Sequence, residues 1–377
     1  MIGMNVSAAE KRLAMNRVIG LCVLLAMLAG APATIAQDTP PHALHDFIAT
    51  HRDDLAIVCY DPASPELGVY HNAEARFPLA SLLKIAILAA HAQRVAAGAA
   101  ALDDTFPVSA VDVYYLPGTD SGAYERFVEE IVAGRDELTL DELFGGMIVY
   151  SSSAIADFLL SRLDRHSLLK LYRQLDITHT DTPTSQLGLY LAMSNHETGQ
   201  ANPAALTRAM FWKESTRLAQ KYVTDQAWRE AERDYRARPN RGLPDHAVQE
   251  AFLERFGAQG TAAELTRLIA AAYSGDALDP AAQDIMRRYL DWPLSGASPL
   301  DAHFVHFGMK NGAWPGVLSA TYYTIDHSGQ ATALTVLLRH IPSPQWIEWL
   351  ATFGQLQLEL EAIRSRCAVL EQALATH

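Results

Sequence analysis

"FPLASLLKIAILAAHAQRVAAG", Phe77–Gly98, reads as a helix that is apolar on nearly every face and is ended by Gly98. Such a helix belongs in a core. Yet Ser81 and Lys84 stand three residues apart at its start, on one face. Ser81 falls where the first backbone N–H groups have no partners and the dipole favours negative charge. A serine hydroxyl is a poor nucleophile until a neighbouring base takes its proton. A lysine becomes that base when burial and nearby positive charge lower its pKa. The bland reading is a capping serine and a lysine that snorkels to solvent, and S-x-x-K alone does not choose between the two.

Outward from this helix the chain is ordered. "HALHDFIATHRDD" (His42–Asp54) has amphipathic helical spacing. "LAIVCY" and "LGVYHN" read as two strands around the turn "DPASPE". A mainly helical middle runs to about Leu290. "HFVHFGMKNG", "SATYYTID" and "ATALTVLLRHI" are again strand-like, and a closing helix begins near Pro344. Strands at both ends join one antiparallel sheet only if the chain returns on itself, so the expected class is α+β, with a large helical subdomain against that sheet.

The formal net charge of −13 argues against nucleic-acid binding, which needs clustered positive charge. Lys11, Arg12 and Arg17 precede an apolar run, Val18–Leu28, and then small residues. That pattern is a secretory signal covering residues 1–36, with a periplasmic or secreted product and no stable membrane anchor. Its removal leaves 27 basic and 42 acidic residues, and two cysteines, Cys59 and Cys367. Two are too few for a disulfide framework. They read as small buried hydrophobes, with a single bridge as the alternative.

Residues 195–257 are highly charged with apolar residues at helical spacing, and are expected as an extra helical insertion outside the core. In the tail, Trp346, Trp349, Phe353, Leu356, Leu360, Ile363, Cys367 and Leu370 form a heptad seam. Burial within a monomer is the default, and a dimer through the tail the alternative.

Two further motifs change the weight of Ser81 and Lys84. "GGMIVYSSSAIADFLLSRL" follows some 70 residues later, and "GMKNGAWPGVLSATYYTID" puts Lys310 and Gly312 late in a strand. Together with the "FPLAS" lead-in and "TAAELTRLIAAAYSGDALDPAAQDIMRRYL", this order resembles the penicillin-recognising serine enzymes, most closely the class A β-lactamases. The resemblance implies Ser81 as nucleophile, Lys84 as its proton acceptor and Ser151 as proton donor to the departing nitrogen. Ser153, Lys310, Asn311, Gly312 and Ala313 would bind substrate, with the N–H groups of Ser81 and Ala313 as the oxyanion hole. It implies a small-molecule substrate, a β-lactam or an acyl-D-Ala-like peptide, and no metal or organic cofactor. Other acyl transfer, as in a D,D-peptidase or esterase, and non-catalytic sensing are the alternatives.

Three departures stand out. Ser153 replaces the family's asparagine, and Asn311 its serine or threonine. Leu175–Gly199 lacks the family's glutamate for hydrolysing the acyl-enzyme. Asp181, in a Thr-rich loop, is the candidate substitute, against an ordinary turn aspartate. "VYYLPGTDSGAYERF" (Val113–Phe127) is expected to rim the cleft, with Tyr114 or Tyr115 stacking on substrate.

Overall fold

The computed structural model describes residues 47–375 other than 49, 239–240, 297 and 353–361. Residues 1–36, and Phe353, Leu356 and Leu360 of the seam, lie outside the described residues.

Strands β1 (Leu55–Tyr60), β2 (Val69–His71), β3 (Phe304–Trp314), β4 (Val317–Asp326) and β5 (Ala331–Leu338) form one antiparallel sheet in the order β2-β1-β5-β4-β3. The first strand of the chain therefore pairs with the last, Leu55 opposite Leu338 and Tyr60 opposite Ala333. Residues 55–59 are buried on both faces, which is why "LAIVC" is continuously apolar rather than alternating. β3 is an edge strand, so part of its backbone is left free to meet something other than a strand. This is the α+β architecture expected.

Between β2 and β3 run helices α1 (Lys84–Ala96), α2 (Leu140–Ile148), α3 (Ser153–Leu160), α4 (Gln186–Met193), α5 (Arg208–Thr224), α6 (Gln226–Arg236), α7 (His246–Phe256), α8 (Ala262–Ala270) and α9 (Pro280–Leu290). Helix α10 (Ser343–Thr352) follows the sheet. Short polar residues start most of them: Ser152 accepts from Ile155 N, Ser185 from Gly188 N and Thr261 from Glu264 N. Helix α1 has no such cap; a 3-10 turn, Ala80–Leu83, leads into it. Its residues 84–92 are all buried, consistent with its all-round apolar character.

Against one sheet face pack α1, α8 and α9, with Ile85, Leu88, Leu265, Ile269 and Met286 in a single apolar cluster. A second cluster covers the opposite face, where Phe307, Tyr322 and Leu334 meet Trp346, Trp349, Ile363 and Leu370. The described part of the tail seam is thus buried within the chain. Cys59 and Cys367 are not independent hydrophobes: they form a disulfide between β1 and the tail, 308 residues apart in sequence. Only the return of the tail to β1 brings the two sulfurs together.

Residues 195–257 also differ from expectation. Many of their charges face outward, but Glu232 and Arg236 form a buried ion pair (2.7 Å), and Phe211, Leu218, Tyr222, Phe252 and Phe256 share a buried cluster with Leu189 and Tyr190 of α4 and Trp314 of β3. Tyr222 donates to Tyr115 O (2.6 Å), and Trp314 donates to Gln249 O (2.9 Å). The segment is packed against the site's surroundings, not laid on a finished surface.

Candidate active site

Ser81 sits in the 3-10 turn, and its hydroxyl caps no helix. Ala80 before it has φ +46°, an uncommon conformation for a residue with a Cβ. Lys84 is 1 % exposed, and its Nζ lies 3.0 Å from Ser81 Oγ and 3.3 Å from Ser151 Oγ, while also bonding the Ser151 carbonyl. Lys310, equally buried, reaches the same Ser151 Oγ from β3 at 3.0 Å and bonds Asn311 O at 2.9 Å. The snorkelling lysine of the bland reading is excluded. One hydroxyl, Ser151, is held between two buried amines, and Ser151 itself has φ +64°.

Burial moves both amines. It lowers Lys84 to about 8, against the opposing charges of Asp120 and Asp157. It pushes Lys310 well below the ordinary lysine value, and the Lys84 charge adds to the effect. The neutral amine that a proton acceptor must be is therefore accessible near neutral pH.

The edge of β3 runs beside Ser81. A Cβ at Gly312 would stand 2.7 Å from Ser81 N and 3.0 Å from Leu79 O, so only glycine lets the strand come this close. Ser319 of β4 donates to Leu79 O at 3.1 Å and ties the turn to the sheet. The Ser81 amide and the Gly312–Ala313 backbone consequently meet at one place.

A cavity of about 920 Å³ opens over these residues. Its polar end is lined by Ser81, Asp120, Ser151, Ser153, Gln186 and Tyr190, and by Asn311–Ala313 of β3. Its other end, past the sheet edge, is apolar, with Phe307, Met309, Trp346 and Trp349 in the wall.

Eight of the nine sequence candidates lie in this assembly: Ser81, Lys84, Ser151, Ser153, Lys310, Asn311, Gly312 and Ala313. Asp181 does not. Its carboxylate is paired with Arg76 (2.7 Å) and Arg208 (2.8 Å) and accepts from Gln259 N (3.0 Å), which anchors its loop away from the cavity wall. The rim stretch is in place, but its tyrosines turn inward. Tyr114 packs on Phe158, and Tyr115 packs on Tyr124 while donating to Glu125 at 2.5 Å.

Residues that sequence reasoning passed over are Asp120, Gln186 and Tyr190. Asp157 of α3 accepts from Gln186 N (2.9 Å), Leu187 N (2.6 Å) and Ser185 Oγ (3.0 Å), so a buried carboxylate pins the start of α4. Burial raises Asp157 to about 6 in spite of those donors. α4 in turn aims Gln186 and Tyr190 at the cavity, and Tyr190 stacks on Trp314 at 5.2 Å. Burial raises the Tyr190 phenol, the Asp120 charge adds to this, and contacts with the Asp120 backbone and Ser153 hydroxyl oppose it. Carboxyl residues in the rim motif were the only available sequence signal, and they look like any turn aspartate.

The model of the Beta-lactamase enzyme family matches residues 41–293. The chain belongs to that family. Lys310 lies beyond the matched stretch. A β-lactamase structure from Sphaerobacter thermophilus is 17% identical, covering 84% of this chain and 95% of the other, with a TM-score of 0.52. One from Chitinophaga pinensis is 14% identical (85% and 99% covered, TM-score 0.51), and one from Francisella tularensis 15% identical (85% and 99%, TM-score 0.51). No curated protein matches the chain. Among the described residues, no helix is long and apolar enough to cross a membrane.

Proposed function

We propose that this chain is an exported serine hydrolase that opens a β-lactam amide through an acyl-enzyme on Ser81. The observation that carries the reading is the hydrogen-bonded series Ser81–Lys84–Ser151–Lys310. Neutral Lys84 takes the Ser81 proton as Oγ bonds to the lactam carbonyl carbon. The N–H groups of Ser81 and Ala313 hold the resulting oxyanion. As the C–N bond breaks, Ser151 gives its proton to the nitrogen and is resupplied by Lys84. An entering substrate carboxylate favours the protonated form of Lys310 and so reverses the effect of burial there, with the Asn311 amide beside it. Water then hydrolyses the Ser81 ester.

The disulfide supports export, since such bonds persist in oxidising compartments, as does the signal pattern of residues 1–36. The substituted Ser153 and Asn311, and the amide Gln186 on the wall, favour the second reading, acyl transfer from a D-Ala-like peptide on the same nucleophile. Mass spectrometry after exposure to benzylpenicillin tests both. One equivalent should add to Ser81 only, and Ser81→Ala should abolish labelling without unfolding the protein. An adduct on Ser151, or labelling that survives Ser81→Ala, overturns the assignment.

A further inference from the structure

Hydrolysing an ester on Ser81 requires a group that takes a proton from water at the cavity wall. Among the described residues, the carboxylates and imidazole on that wall are Asp120, Glu130 and His246. Lys84 and Lys310 are bound to Ser151, Glu130 accepts from Tyr150 at 2.6 Å, and His246 is paired with Ser343 Oγ at 3.1 Å. Arg126 remains protonated at any working pH. Asp120 is the one held by the Ser153 amide at the start of α3.

Asp120 lines the cavity together with Ser81, Ser151 and Ser153. One carboxylate oxygen accepts from Ser153 N at 2.9 Å and the other from Ala123 N at 3.1 Å. The Tyr124 backbone also bonds to it, and with about four acceptor positions the carboxylate keeps room for another partner. The backbone is unusual here: Asp120, Ser121 and Gly122 follow one another at φ +48°, +54° and +77°. Two consecutive left-handed residues with a Cβ are costly and persist only where the surroundings over-determine them. The surroundings in question are the start of α3, which carries Ser153, and the hydroxyl of Tyr190.

We propose that Asp120 is the general base for hydrolysis of the Ser81 acyl-enzyme, in place of a carboxylate on α4. It rests on the acyl-enzyme reading above. The Asp120 carboxylate takes one proton from a water as the water oxygen bonds to the ester carbonyl carbon. The tetrahedral adduct then collapses, the C–Oγ bond breaks, and the proton passes to Ser81 Oγ by way of Lys84, which lies 3.0 Å from it. The free acid leaves. Burial raises the Asp120 carboxyl, against the Ser153 amide and the Lys84 charge, which makes it a stronger base than an exposed aspartate.

The test compares wild type, Asp120→Asn and Asp120→Glu, each acylated with benzylpenicillin and followed by mass spectrometry. Asp120→Asn should still acquire the Ser81 adduct, because losing this charge moves Lys84 further down and does not withdraw the acylation base. Decay of the adduct should slow by roughly 10²–10⁴-fold, and Asp120→Glu should recover part of the loss. Hydroxylamine, a nucleophile that needs no base, should release the adduct from wild type and Asp120→Asn at similar rates. A cap with only a structural role would slow hydroxylamine release as much as hydrolysis, and that result overturns the proposal. Equal adduct lifetimes in wild type and Asp120→Asn overturn it too, while leaving the acyl-enzyme intact. If Ser81 is never acylated in wild type, both readings fall.

Discussion

The two walls of the cleft are built differently. One carries Ser81, Lys84, Ser151 and Lys310, and its parts are those the motifs announce. The other carries Asp120, Ser153, Gln186 and Tyr190, of which only Ser153 belongs to one of those motifs. On the proposed reading the first wall forms the ester, through hydrogen bonds from two buried amines to Ser81 and Ser151. The second must admit and activate water, and no carboxylate stands in α4 to do so. On this reading ester formation and ester hydrolysis are separable, supplied by different elements of one fold.

The largest effect that would break this comparison concerns the first wall. Lys84→Met should slow acylation by roughly 10²–10⁴-fold, the usual contribution of a general base, and stopped-flow measurement of adduct formation reads it. In the wild type the acylation rate should rise with pH and level off above about 8, because the reactive form is the neutral amine and its fraction grows as pH passes the Lys84 value. A rate that falls through that window would remove Lys84 as the acceptor.

The second wall sets the next effect. With acylation intact and hydrolysis supplied unconventionally, a chromogenic β-lactam should give a burst of about one product equivalent per enzyme before a slow steady rate. Gln186→Glu, which puts a carboxylate at the first residue of α4, should raise the steady rate about tenfold or more and shrink the burst. Steady turnover without any burst in the wild type would mean that the two walls are equally competent.

The smallest effect on the chemistry should come from the remote staple. Cys59→Ser should cost about 2–4 kcal/mol of stability, seen as a lower denaturation midpoint, with the adduct forming and decaying at wild-type rates. A change in either rate would tie the tail to one of the walls.

Much of the molecule was legible because the signals are local or ordered along the chain. Ser81 and Lys84 are one helical turn apart, and "LAIVCY" and "ATALTVLLRHI" have the apolar runs of covered strands. The segment 195–257 was read from its charges, which are a local property. Whether its apolar face finds a partner depends on α4 and Trp314, up to 119 residues away in sequence along the chain from Asn195 to Trp314.

By itself, then, the sequence determined the sheet from both chain ends, the pairing of Ser81 with Lys84, and the order of the three motifs. Helical spacing and strand periodicity act over a few residues, and motif order needs no coordinates. The tertiary structure decided the rest. It joined Cys59 to Cys367, bound Asp181 to two arginines, and set Asp120 against Ser153 with Tyr190 beside them. Each of these depends on a distance between residues far apart in the chain, and such distances are fixed only when the elements pack.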